Sequence, residues 1–462
     1  MKNLIAIMAL MGMSSLAFSG DLLGMKNVTF DGSLEVLGEQ ATNETDLSDA
    51  SRDTRGGTIT RVRLGMNADV TDGVTARVEA VRSPAYTGAG AQYGGDSRPT
   101  TLNQEQDSIV IENAYVDIAG FLGLDNIRLG RQYAGRKGDL IAYFGPTNDN
   151  LLFVNALDAF SATRNWGPLS AEVVSGKLYE DDHILDTDNG DTVGDVNVSW
   201  GTVAFDFASG TQSKMPLELG LYMLTSKGND SESDNDNLKV ADLRFGMEDE
   251  QGNRAGIELA RNFGNINNGA LGNKKLTYMG SAFVLFADYT IPSSGISLRA
   301  KLLETTGDPN FNDQDDESFH PINSDFRYGE ILSNDFHFAF NNFLAGTDYS
   351  FQGLAYDSAL QGDGLSVGAL GVDFTPPILE NKFTGSIDLF SASVKESSVL
   401  AGDDIGMELD VALKYKHSEN VKAEIGYARL FTGDYLTYDT RGKDDVSKMW
   451  AKLKIKWGNP KV

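Results

Sequence analysis

Residues 448–457 read KMWAKLKIKW. Lysines stand at positions 448, 452, 454 and 456, while Met449, Ala451, Leu453, Ile455 and Trp457 fill the odd positions. A helix would scatter these residues round its axis, whereas a strand sorts them into one basic face and one apolar face. The stretch is therefore read as a strand. In a soluble sandwich its apolar face would look toward a protein core and its lysines toward water. Whether that orientation or the reverse holds depends on the rest of the chain.

The same alternation recurs throughout. TITRVRLGMNADV (58–70) sets Val62, Leu64, Met66, Ala68 and Val70 against Arg61, Arg63, Asn67 and Asp69. IGMELDVALKYK (405–416) sets Ile405, Met407, Leu409, Val411, Leu413 and Tyr415 against Glu408, Asp410, Lys414 and Lys416. Alternation predicts about 18 strands, near 28–38, 58–70, 74–82, 109–118, 126–134, 156–165, 169–178, 197–207, 217–226, 240–248, 254–263, 276–290, 296–305, 366–375, 383–393, 404–416, 422–431 and 447–457.

Short turns such as TDG (71–73), WGP (166–168) and HSEN (417–420) alternate with long polar loops, for example at 83–108, 179–196 and 306–365. A sandwich has no reason to keep short and long connections in turn. A transmembrane antiparallel β-barrel does, because its short periplasmic turns and long extracellular loops lie on opposite sides of the bilayer. The expected fold class is therefore all-β, a barrel of about 18 strands with both termini periplasmic. Its apolar faces meet lipid, so the lysine ladder points into the lumen. Trp457, Tyr415, Trp200 and Tyr289, near strand ends, are expected in an aromatic girdle.

Composition agrees. The chain opens MKNLIAIMALMGMSSLAFSG, which reads as a signal peptide over 1–19, leaving 20–462 as the barrel. Cysteine is absent from the 462 residues, which removes disulfides and thiolate metal sites. After the signal no run approaches the roughly 18 apolar residues of a membrane helix. A net charge of −27 argues against a nucleic-acid partner.

IRLGRQYAGRKGDL (127–140), ALDAFSATRN (156–165), LLETTGDP (302–309) and GYARLFTGDYL (426–436) resemble motifs of the alginate-export family of outer-membrane barrels. The resemblance implies a monomeric barrel in the outer membrane of a Gram-negative-type bacterium. It also implies a lumen conducting an anionic polysaccharide or smaller polar solutes. The inward cations Arg61, Arg63, Arg77, Arg128, Arg299, Lys301, Lys414, Lys416, Lys452 and Lys454 are the expected solute-binding set. Carboxylates such as Glu35, Glu79, Glu218 and Glu408 fall on the same face, so a general or weakly anion-preferring pore is expected over a dedicated polyanion conduit.

Arg131 falls by strict alternation on the lipid face. Either it stands at the rim among lipopolysaccharide phosphates, or a bulge turns it inward. The resemblance implies the lumen role, with Asp158 or Asp139 as partner. In the acidic loop at 179–195, Asp186, Asp188 and Asp191 have the spacing of the start of a Ca²⁺ loop, though the twelfth position holds Asn197 rather than glutamate. No other cofactor is expected. The four histidines, His183, His320, His337 and His417, lie in loops or turns, so an enzyme is not expected. The long loop at 306–365 either folds inward as a constriction or packs over the rim. The competing function is a structural or adhesive surface barrel with acidic external loops and a plugged lumen.

Overall fold

The computed structural model describes residues 25–43, 54–82, 109–146, 156–179, 196–226, 236–268, 274–310, 313–332, 363–376, 381–396, 402–436 and 444–458. The signal peptide, the candidate calcium ligands Asp186, Asp188 and Asp191, and the aromatic run at 336–343 lie outside the described residues.

Eighteen antiparallel strands, from Lys26–Thr42 to Val446–Trp457, close into one barrel. The last strand returns to the first, with Gly32 opposite Trp457 and Thr42 opposite Ser447. Closure leaves no unpaired strand edge, which is the condition for a sheet to cross hydrocarbon. Lys26, where the first strand begins, and Trp457, where the last one ends, both lie on the side of the short turns, such as Asp72–Gly73 and Glu419–Asn420.

Each expected segment corresponds to a barrel strand, with one change. The segment at 276–290 is broken into Lys274–Tyr278 and Ser281–Ile291. The cause is a second chain segment running against the break. Met279 donates its backbone N–H to Asp316 at 2.7 Å, and a Cβ on Gly280 would lie 2.0 Å from the Ser318 carbonyl oxygen. Only glycine admits that approach.

The faces of KMWAKLKIKW are now fixed. Met449 and Leu453 are exposed on the outer wall, while Lys448 and Trp450 are buried inside. Across the barrel Leu219, Val203, Ile387 and Leu370 are also exposed. Such a continuous apolar exterior would be a liability in water and is what a bilayer requires. Trp166, Phe205, Tyr289 and Phe374 form an exposed aromatic girdle toward the short-turn end. Trp200 does not belong to it. Its parity is inward, and it stacks on Phe144 at 6.2 Å and on Tyr222 at 6.1 Å.

Candidate functional site: the lumen and its constriction

Two segments outside the strands enter the barrel. The first, 133–146, turns back on itself by pairing Ala134–Gly135 with Tyr143–Phe144. Gly135 adopts φ 83°, where a side chain would strain the turn. Asp139 accepts the backbone N–H groups of Ile141 (2.7 Å) and Ala142 (3.1 Å). The apolar Leu140, Ile141 and Phe144 are then fully buried inside the barrel, in one cluster with the inward wall residues Leu157, Val198, Trp200 and Tyr222.

The second segment is 313–332. Asn262 holds its start, accepting the His320 N–H at 2.7 Å and donating to the His320 carbonyl at 2.9 Å. Ile322 and Asn323 both donate to the Ile141 carbonyl, and Asp325 accepts the Gly138 N–H at 2.9 Å, so the two segments are joined. The far end docks on the strand Asp404–Ser418. There Glu408 accepts the N–H groups of Glu330 (2.7 Å), Ile331 (2.7 Å) and Leu332 (2.8 Å). Successive N–H groups aimed at one carboxylate form an anion-binding nest, here occupied by the wall itself. Lys452 donates to the Glu330 carboxylate at 2.9 Å and Lys448 to its carbonyl at 3.1 Å. Since Asn262 and Glu408 lie on well-separated strands, the segment crosses the lumen and narrows it. Of the two outcomes expected for the long loop, its described part takes the inward one.

His320 Nε2 lies 2.9 Å from both Ser318 Oγ and Asp316 Oδ2. A catalytic triad needs nucleophile and orienter on opposite ring nitrogens, whereas here both meet the same one. The group ties the segment to itself. Burial works against ionisation of Asp316, but the His320 charge and the hydrogen bonds from His320 and Ser318 prevail, holding its carboxyl below the usual range. Burial lowers the Lys137 ammonium, which donates to the Pro146 carbonyl at 3.1 Å, to about 8.

Below these segments, toward the short-turn side, lies a cavity of about 1320 Å³. The candidate cations divide in relation to it. Arg299, Lys301, Lys414, Lys416, Lys452 and Lys454 line the cavity. Arg61, Arg63 and Arg77 do not, being at most 2% exposed. Arg61 meets Glu35 at 2.6 Å, Arg77 meets Asp31 at 2.8 Å and also Glu79, and Tyr133 closes over Glu79 at 2.7 Å. These arginines cross-link the wall and do not face solute. Arg128 is held by both oxygens of Asp117 (2.7 and 3.0 Å), with its guanidinium 4.0 Å from the Tyr115 ring centroid.

Arg131 pairs with Asp158 at 3.1 Å, as the resemblance implied, but on the outer face. Asp158 shares its side of the strand with the outward Phe160, while Leu157 and Ala159 point in. No bulge separates Arg131 from its neighbours in the ladder, so alternation is not broken and the lumen role does not hold. Asp139 meets Arg244 instead, at 2.8 and 3.0 Å. Arg244 also contacts Glu218 (3.4 Å), Asp242 (2.8 Å) and Glu258 (3.1 Å), making it the hub of one wall. Its inward parity in the strand Asp236–Glu248 is readable, although its partners are not.

No family model matches this chain, and no curated protein matches it. Solved structures share its fold. OccAB2 of Acinetobacter baumannii is 10% identical with a TM-score of 0.54, covering 93% of this chain and 98% of its own. OccK9 (OpdG) of Pseudomonas aeruginosa is 13% identical with a TM-score of 0.53 and the same coverage. OccK8 (OprE) of the same species is 12% identical with a TM-score of 0.52, again covering 93% and 98%. The likeness is one of fold. That fold is a closed 18-strand antiparallel barrel, and with the apolar exterior and aromatic girdle it makes this chain a β-barrel of the outer membrane.

Proposed function

We propose that the protein is an outer-membrane channel for small polar solutes with a preference for anions. The observation that carries this is a sector of cavity-lining lysines, of which Lys414 and Lys422 make no ion pair among the described residues. The facing wall is compensated: Arg254 meets Asp288, Lys214 meets Glu248 at 3.5 Å, and Arg299 meets Asp373 and Asp388. Uncompensated charge in a confined, low-dielectric-walled space acts strongly on passing ions. Small solutes are favoured over a threaded anionic polysaccharide because the crossing segment narrows the route and the wall arginines already hold carboxylates. In a planar bilayer under a KCl gradient, the reversal potential should report anion preference, and Lys414→Glu/Lys422→Glu should move it toward cations. A reversal potential that ignores the double substitution would remove these lysines from the permeation path.

The competing reading, a plugged structural barrel, is favoured by one feature. The Glu408 nest is fully buried, as expected of a fixed plug as much as of a constriction.

A further inference from the structure

The chain carries a net charge of −27, yet its lipid-facing wall holds cations near the long-loop end that make no ion pair among the described residues. In the strand Arg254–Asn268, Leu259 and Phe263 face outward while Ala260 and Asn262 are buried inward, so Arg261 stands on the lipid side. In the neighbouring strand Asp236–Glu248, Leu238 and Val240 are buried inward, so Lys239 stands outside as well. Arg261 is opposite Ala241 and Lys239 is opposite Phe263, which makes the two cations diagonal neighbours on one face. Lys239 Nζ lies 6.0 Å from the Phe263 ring centroid. Neither cation makes an ion pair among the described residues.

Toward the membrane interior from this pair the wall is apolar. Leu219, Leu243, Leu259 and Phe283 form part of an exterior groove of about 970 Å³ that also includes Arg261. The loop residues Thr306 and Pro309 border it on the long-loop side. At its other end Lys395 is neutralised by Glu304 at 2.9 Å, and Glu317 and Glu396 add carboxylates. An anionic group is therefore drawn to the Arg261 end, with Lys239 just beyond the groove, and away from the Glu304 end.

Two like charges side by side on a lipid face are unfavourable unless an anion of the leaflet meets them. The long-loop end is the external one, so the leaflet concerned is the outer. We propose that this groove is a binding site for one phosphorylated, multiply acylated glycolipid of the outer leaflet. Arg261 and Lys239 hold a phosphate, and the leucine and phenylalanine floor receives acyl chains. Guanidinium–phosphate contacts are charge-assisted and directional, which favours a fixed position over diffuse lipid contact. The inference stands independently of whether the lumen conducts.

The test is native mass spectrometry of the full-length protein incubated with bisphosphorylated lipid A, the same glycolipid after phosphatase treatment, or phosphatidylglycerol. The wild type should retain the bisphosphorylated form about tenfold over the dephosphorylated one, a margin that the strength of two charged contacts makes reasonable. Arg261→Gln/Lys239→Gln should abolish that margin, and Arg261→Lys should keep most of it. Heat-modifiable migration of each variant checks that the barrel is folded. Equal retention by the wild type and the double variant would overturn the site. Retention of phosphatidylglycerol as strongly as lipid A would overturn the glycolipid assignment.

Discussion

Glu408→Ala should free the lumen-crossing segment and raise single-channel conductance while leaving the barrel closed. The substitution strips the buried N–H groups of Ile331 and Leu332 of their acceptor, while the Glu330 N–H keeps Asp410 Oδ2 at 3.0 Å. Each buried donor left unsatisfied costs about 1–3 kcal/mol, so the docked position loses most of its advantage over an undocked one with hydrated donors. Lys452 and Lys448 still reach Glu330, but they hold a single residue. Glu408→Gln keeps one acceptor oxygen and should fall between the two. Gly329 offers an independent probe. Its φ of 71° suits glycine, and a Cβ there would lie 2.4 Å from Glu408 Oε2. Gly329→Ala should therefore loosen the same docking without altering any charge. Single-channel recording checks this, and unchanged conductance in both Glu408→Ala and Gly329→Ala would mean that the segment does not limit flow.

The second large effect concerns membrane insertion. Ile425 and Leu453 are exposed on the outer wall, on adjacent paired strands. An arginine at mid-membrane on that face costs about 2–4 kcal/mol, so Ile425→Arg/Leu453→Arg should sharply reduce the folded fraction. Lys414→Glu/Lys422→Glu changes charge by more but faces water, and it should insert as the wild type does. Folding into liposomes, scored by heat-modifiable migration across a urea series, compares the two. If the lysine variant failed while the arginine variant inserted, the two faces of KMWAKLKIKW would have to be exchanged.

Period-two alternation makes the barrel legible because a strand at a water–lipid boundary must expose opposite chemistry on its two sides. That is why Lys452 and Leu453 could be assigned to faces from the sequence, and why Arg131 could be recognised as outward. The motif resemblance pulled Arg131 inward against its parity, and parity decided the matter. What alternation cannot convey is whether an inward charge meets solute or another side chain. Arg61 and Lys414 have the same parity, yet Arg61 is sealed against Glu35 while Lys414 faces the cavity. The difference comes from cross-strand register and from the 133–146 segment, which folds over the wall at Tyr133. The 313–332 segment has no period to read. Its path is set by Asn262, Glu408 and Lys452, which lie far from one another in sequence and meet it only once the barrel has closed. Trp200 shows the same limit: its position near a strand end suggested a girdle, whereas its inward parity and the arrival of Phe144 give it a packing role.

The central claim, a lumen narrowed by inward segments but open to small solutes, is tested most directly by single-channel recording of the purified wild-type protein in a planar bilayer. The account predicts discrete conductance steps at low voltage in KCl. A folded, inserted barrel that gives no steps, and gives none after Glu408→Ala, would contradict it and leave the plugged structural barrel in its place.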